Sequence, residues 1–244
     1  TNGIEVAASV PVVTGETATV KYALAGWKLT ILHTNGTCTV TQNGAENVAA
    51  CTFTPAAGDQ ATLAWQWSLQ YKISVSADPG LEASASVLWA DLGDTVTISV
   101  TEDTAPFLAW QGDVPAANMF DRSFSTTVTG PMTFTAAAPA HFYYVAPGGT
   151  GDGTSWAAAF GTIHEAVTAA GSAADGALVC VKEGAFLQTS AVTATGVGPL
   201  MIRGGYAGVG FTTGGETVVG RQTMDGGALV QCTLFSFSGS TVAL

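Results

Sequence analysis

The sequence predicts an all-β protein: two small sheet modules, then a tract of short stacked strands. Three observations carry this. Between residues 4 and 136 apolar residues recur at about every second position, interrupted by Gly, Asn, Asp and Pro. Two segments recur at near-constant offset: WKLTI at 27–31 and YKISV at 71–75, offset by 44, and LAWQ at 63–66 and 108–111, offset by 45. Beyond Phe142, short apolar runs alternate with glycine-rich turns, a pattern of units stacked in one dimension.

Composition narrows the setting. Seven Lys or Arg face 18 Asp or Glu, a formal net charge of −11, so the surface repels phosphate backbones and anionic membranes. Nucleic-acid binding is excluded on that ground. Only 10% of residues are charged, while Thr, Ser, Gly and Ala are abundant. That balance suits an extracellular β-protein whose exposed strands carry Thr, and the expected location is secreted or cell-surface. No apolar run reaches the roughly 20 residues of a membrane-spanning helix. No signal peptide is visible and the first residue is not Met, which reads as a mature or trimmed chain. The four cysteines lack the C-x-x-C spacing of a zinc site.

Residues 1–68 form the first expected module. Two strands flank a Thr-Gly turn within 4–24. WKLTIL at 27–32, 37–41, 50–54 and 61–67 follow, with Asn35-Gly36 and Asn43-Gly44 as turn signals. Cys38 and Cys51 each sit inside a predicted strand. A disulfide between them is the first reading, and its closed loop would contribute roughly 3 kcal/mol. Two buried free thiols are the other. The second module, 69–140, carries strands at 71–77, 84–89, 95–101, 107–111, 123–129 and 132–136. Trp65, Trp67, Trp89 and Trp110 lie in alternating strands or at repeated positions, so core packing is favoured over stacking on sugars. Trp110, beside Gln111-Gly112-Asp113, is expected to pack under a turn. Asp91, Asp94 and Asp113 lack the close spacing of a calcium loop. TGETATVKY at 14–22 is similar to TGPMTFTAA at 129–137. The first module therefore reads either as permuted, with its closing strand placed first, or as preceded by the tail of an earlier module.

In the third region, 141–244, the period turns helical only from Thr162: Ile163, Ala166, Val167 and Ala170 share a face, and Thr162 with Glu165 makes a capping box. Strands follow at 178–182 and 200–203. Val179, Val181, Leu200 and Ile202 are expected to point inward, then Val230, Cys232 and Leu234, leaving Cys180 outward or at a corner. That phase argues against pairing Cys180 with Cys232. The Gly148–Gly153 loop lacks the lysine of a nucleotide P-loop.

The pieces at 143–160 (YYVAPGGTGDGTSWAAAF), 162–170, 176–186 (GALVCVKEGAF), 202–208 (IRGGYAG) and 223–227 (TMDGG) resemble the first coils of right-handed parallel β-helices. These occur in bacterial surface and secreted proteins, including polymorphic outer-membrane proteins and pectin-lyase-like domains. The resemblance implies that residues 141–244 are a capped start of such a helix. Asp152 would bond turn amides and Trp156 would pack beneath the cap helix. YKISV at 71–75, GDTVTISV at 93–100, AWQGDV at 109–114 and TGPMTFTA at 129–136 resemble the small modules of internalin B repeat-like domains.

Function is less legible. Carbohydrate-active β-helices use clustered carboxylates, and a hydrolase needs two flanking one bond. Asp175, Glu183, Glu216, Asp225, Lys182, Arg203 and Arg221 make no such set in the sequence, and His164 beside Glu165 reads as solvated. No catalytic, cofactor or metal residue is assigned. The expected role is a non-catalytic structural or adhesive surface protein. A glycan-binding module is the alternative, and a fragment of a polysaccharide lyase or hydrolase is the further one. Expected partners are a glycan or host-surface ligand and further copies of the chain, through an open β-helix end or free strand edges. The last strand implies three ways of covering that end: continuation beyond Leu244, stacking of a second copy, or a donated strand.

Overall fold

The computed structural model describes residues 5–43, 49–188, 192–195, 198–212, 214–221, 235–238 and 242–243. The chain opens with β1 (Val6–Ser9), β2 (Val13–Thr14), β3 (Val20–Leu32), β4 (Cys38–Asn43), β5 (Ala50–Phe53), β6 (Gln60–Ala77) and β7 (Leu81–Ala85). It continues through β8 (Trp89–Asp91), β9 (Thr95–Glu102), β10 (Ala109–Gly112), a 3-10 turn at Ala116–Asn118, β11 (Ser123–Thr127) and β12 (Met132–Ala137). Then come β13 (His141–Val145), α1 (Ile163–Ala170), β14 (Ala177–Lys182), β15 (Gly184–Gln188), β16 (Val192–Thr195), β17 (Leu200–Tyr206), β18 (Thr217–Arg221), β19 (Phe235–Ser238) and β20 (Val242–Ala243). No helix among the described residues is long and apolar enough to cross a membrane.

Two compact units emerge: Thr1–Val75 with Ala85–Ile98 and Phe124–Phe134, and Ser76–Ser84 with Ser99–Ser123 and Thr135–Leu244. The first is built on β3 and β6, paired antiparallel from Val20↔Tyr71 to Leu32↔Gln60. A register shift between Leu24 and Gly26 fixes the phase. Leu24 and Leu29 have opposite parity, and a regular strand would place them on opposite faces. The extra residue puts Leu24, Trp27 and Leu29 opposite Trp67, Trp65 and Leu63, so all six share one face. β4 pairs with β3 and β8 with β6, within a sheet ordered β10-β12-β6-β3-β2.

The expected segmentation of this region is corrected here. Val20–Tyr22 and WKLTI are consecutive parts of one 13-residue strand, and YKISV is the end of the 18-residue β6. The segment proposed as a displaced closing strand is thus not a separate strand beside WKLTI, and YKISV does not open a small internalin-like module. The disulfide is also corrected: Cys38 and Cys51 are free thiols, one exposed and one buried. Cys38 lies opposite Leu32 at the end of the β3–β4 hairpin, whereas Cys51 lies opposite Ala8 in a separate two-stranded sheet of β1 and β5. Two similar strands joined by a turn signal were expected to pair with each other, but each found a different partner.

The second unit contains parallel strands in three separate sheets: β13-β14-β17-β20, β15-β18 and β16-β19. β13 and β14 pair from His141↔Ala177 to Val145↔Val181, and β14 continues onto β17 from Ala177↔Leu200. The all-β and β-helix expectations are corrected at this point. A genuine α-helix lies within the unit, so the fold is mixed, and the sheets neither curl nor close into a solenoid. Short glycine-punctuated strands are consistent with both arrangements, which is why the sequence pattern could not separate them. The third predicted strand, with Val230, Cys232 and Leu234, and the TMDGG turn lie outside the described residues.

α1 forms as its local chemistry dictates. The Thr162 side chain accepts from the Glu165 amide, and the Glu165 carboxylate accepts from Thr162 N at 3.0 Å. Its Ile163, Ala166, Val167 and Ala170 enter a core with Val179, Val181, Leu200 and Ile202. The other face of β14 is equally dry. Leu178 and Cys180 are buried with Leu108, Ala109, Met201 and Tyr206, against which Met119 and Phe120 pack. Cys180 is therefore not outward. The segment 105–120 covers it, and the uninterrupted apolar run ALVCV marks a strand buried on both faces.

Candidate functional site

The segment that covers β14 also builds a cleft in the second unit. Its anchor is Gly80, whose carbonyl accepts from the amides of Asp103, Thr104 and Ala105, each at 3.1 Å. Gly80 has φ +87°, and a Cβ there would lie 2.8 Å from Ala105 N and 2.7 Å from Ala105 Cβ, so no other residue fits without displacing the wall. The opposite side is the end of β17. Gly205, at φ +81°, donates its amide to Thr217 Oγ1 at 2.7 Å, and that hydroxyl donates to Lys182 O at 2.9 Å.

At the centre stands Glu102, the last residue of β9. Its Oε2 accepts from Arg122 at 2.7 Å, and its Oε1 accepts from the Phe107 amide at 2.7 Å and from Arg203 at 3.2 Å. Arg203 also donates to Phe107 O at 3.4 Å and reaches Met201 Sδ. Arg203 is thus spent on structure, with 27% of its side chain exposed, while Arg122 keeps 56% exposed and one described bond. The cleft has a volume of about 430 Å³, bounded by these residues with Asp103 to Pro106, Gly204 to Tyr206, and Phe211.

An aromatic row runs from this wall: Phe142–Phe211 at 5.2 Å between ring centroids, Phe211–Tyr206 at 6.4 Å, Tyr206–Trp156 at 5.9 Å and Trp156–Tyr144 at 4.8 Å. Trp156 Nε1 donates to Gly210 O at 2.8 Å and so holds the loop that carries Phe211. Phe211 is 40% exposed. The Tyr206 hydroxyl is buried near Cys180 and Arg203 without a hydrogen bond of normal geometry. Burial, and then the neighbouring thiol, push its pKa up to about 12. Burial likewise pushes the Cys180 thiol up to about 12. Neither group is a nucleophile or proton carrier near neutrality.

The residues singled out in the sequence fall as follows. Trp156 does not pack beneath α1; it belongs to the aromatic row. Asp152 accepts from Thr154 N at 3.1 Å and Thr154 Oγ1 at 2.7 Å, bonds that hold its carboxyl below the ordinary range. Trp110 is buried, donates to Asp121 O at 2.8 Å, and packs at a tilt of 58° against Phe107, with 5.6 Å between ring centroids. Thr162 and Glu165 are the cap of α1. Cys38 and Cys51 lie in the first unit. Arg203 sits opposite Cys180, and a register shift separates it from Lys182. His164 is half-buried, and its Nδ1 is enclosed without a partner among the described residues. Reasoning from sequence missed Glu102, Arg122, Tyr206 and Phe211 as a group. Arg203 alone was noticed, and no spacing rule links residues 101 positions apart.

No cluster of three or more His, Cys, Asp or Glu placed to hold a metal occurs among the described residues. Both Glu102 oxygens already accept from protein donors, and a reaction that needs two carboxylates flanking one bond lacks a free pair in this arrangement. The cleft presents a carboxylate beside a part-free guanidinium, with an exposed ring at the rim. No protein family, no curated protein and no solved structure matches the chain.

Proposed function

We propose that the chain is a non-catalytic, secreted or cell-surface protein with a structural or adhesive role. The observation that carries this reading is the state of Glu102. The central carboxylate of the cleft is tied by Arg122, Arg203 and the Phe107 amide, which favours a rigid binding surface over acid–base work by Glu102. The surface chemistry supports the setting. Strand positions facing solvent carry cross-strand hydroxyl pairs, Thr97–Ser125, Ser99–Ser123 and Ser76–Thr135, in a chain of which only 10% is charged. Self-association through strand edges belongs to the same reading: in the sheet ordered β11-β9-β7, both outer strands have one partner within the sheet.

The test has two arms. Antibody labelling of intact cells of the source organism, and of their medium, is expected to find the chain without permeabilisation. Incubation with a panel of neutral and acidic polysaccharides is expected to release no new reducing ends and no unsaturated products. Signal confined to lysed cells sinks the location, and turnover that copurifies with the chain sinks the non-catalytic reading.

A further inference from the structure

We infer that the cleft centred on Glu102 binds one neutral pyranose ring of a glycan, with Arg122 and Glu102 as its polar contacts and Phe211 as its stacking face. The inference rests on the adhesive reading and supplies its ligand.

Size comes first. A volume of about 430 Å³ lies at the small end of the roughly 300–1,000 Å³ range of small-molecule sites, which suits one or two sugar rings better than a folded partner. Polarity comes next. Glu102 and Arg122 set an acceptor and a donor 2.7 Å apart. A hydroxyl both donates and accepts, so two neighbouring hydroxyls on one ring match that pair, one donating to the carboxylate and one accepting from the guanidinium. Arg203 and the Phe107 amide hold Glu102 from the other side, so the pair is positioned before any ligand arrives. The rim supplies the apolar half: Phe211 is 40% exposed and backed by Phe142 and Tyr206, a fixed ring on which the C–H face of a pyranose packs.

Charge decides between neutral and acidic sugars. Within the cleft two guanidiniums are matched by the carboxylates of Glu102 and Asp103, and the chain carries a formal net charge of −11. Arg203 is committed to Glu102 and Phe107 O. A uronate therefore meets no unopposed cation and approaches against the field of the whole chain, whereas a neutral ring is indifferent to it.

The experiment is ligand-observed NMR and calorimetry on the full chain. The probes are methyl glycosides of mannose, glucose, galactose and N-acetylglucosamine, with glucuronate and galacturonate as the acidic arm. At least one neutral glycoside is expected to bind saturably with Kd on the order of 1 mM. Phe211→Ala and Arg122→Ala are each expected to weaken it at least about tenfold, while Thr52→Ala in the first unit leaves it unchanged. Phe211→Leu and Arg122→Lys guard against misfolding: each conserves bulk or charge, melts as wild type does, and still weakens binding. The inference is overturned if no neutral glycoside binds, if a uronate binds as tightly, or if binding survives the cleft variants. If glycosides fail while beads coated with the chain still adhere to cells, the cleft assignment falls alone. If glycosides bind and such beads do not adhere, the adhesive reading falls and the cleft stands.

Discussion

Leu178→Ala probes whether β14 is enclosed on both faces. Leu178 is fully buried among Leu108, Cys180, Met201 and Tyr206, on the face opposite Val179. A large-to-small change at such a site forfeits the transfer energy of the lost carbons and leaves a cavity, together about 2–5 kcal/mol. How far segment 105–120 relaxes into the cavity sets where in that range it falls. Val179→Ala removes fewer carbons from the α1 side and serves as the companion. Trp110 and Trp156 lie in the same unit, but four other tryptophans obscure their signal, so the readout is hydrogen exchange of peptides spanning 141–206 as urea is raised. Both variants are expected to shift the unfolding of those peptides to lower urea, Leu178→Ala by the larger step. If Leu178→Ala costs less than about 0.5 kcal/mol, as an exposed-face position would, and Val179→Ala still destabilises, the coverage of β14 by segment 105–120 is wrong.

Three more outcomes are expected. Thr162→Ala should lower stability by about 1 kcal/mol through loss of the α1 cap, and Thr162→Ser should restore most of it in thermal melts. Cys180 and Tyr206 hold their protons more tightly in the folded chain than the ordinary 9.0 and 10.0 of an unfolded one. Their stabilisation is therefore complete below about pH 9 and is lost as the pH rises toward about 12, because the unfolded chain ionises first. The Cys180→Ala, Tyr206→Phe double variant should show a shallower fall in urea midpoint between pH 8 and 11, and equal slopes would contradict the assignment. Iodoacetamide added to unreduced native protein should label Cys38 quickly and Cys51 only on unfolding, and a mass two hydrogens low with neither labelled would restore the disulfide.

What the sequence disclosed and what it withheld follow from range. The α1 cap was legible because Thr162 and Glu165 are three residues apart and the chemistry is local. The inward phase of Val179, Val181, Leu200 and Ile202 was legible because parallel strands keep their parity. The outward placement of Cys180 failed because alternation says which residues share a face, not what covers it; the cover comes from Leu108, Ala109, Met119 and Phe120, about 60 to 70 positions earlier. The length of β3 was hidden by the shift between Leu24 and Gly26, which breaks simple alternation while preserving one buried face. The cleft was hidden for the same reason as the cover: Glu102 and Arg122 are 20 positions apart, and Arg203 joins them from β17, 101 positions from Glu102.

The proposal that the chain is an adhesive surface protein is tested most directly by retention under flow. Beads coated with the full chain are passed over a layer of source-organism or host cells, with beads carrying an inert acidic protein as reference. Retention above the reference, competed away by soluble chain, is the expected result. Retention equal to the reference at every surface density, with the coated chain still folded, would contradict the account.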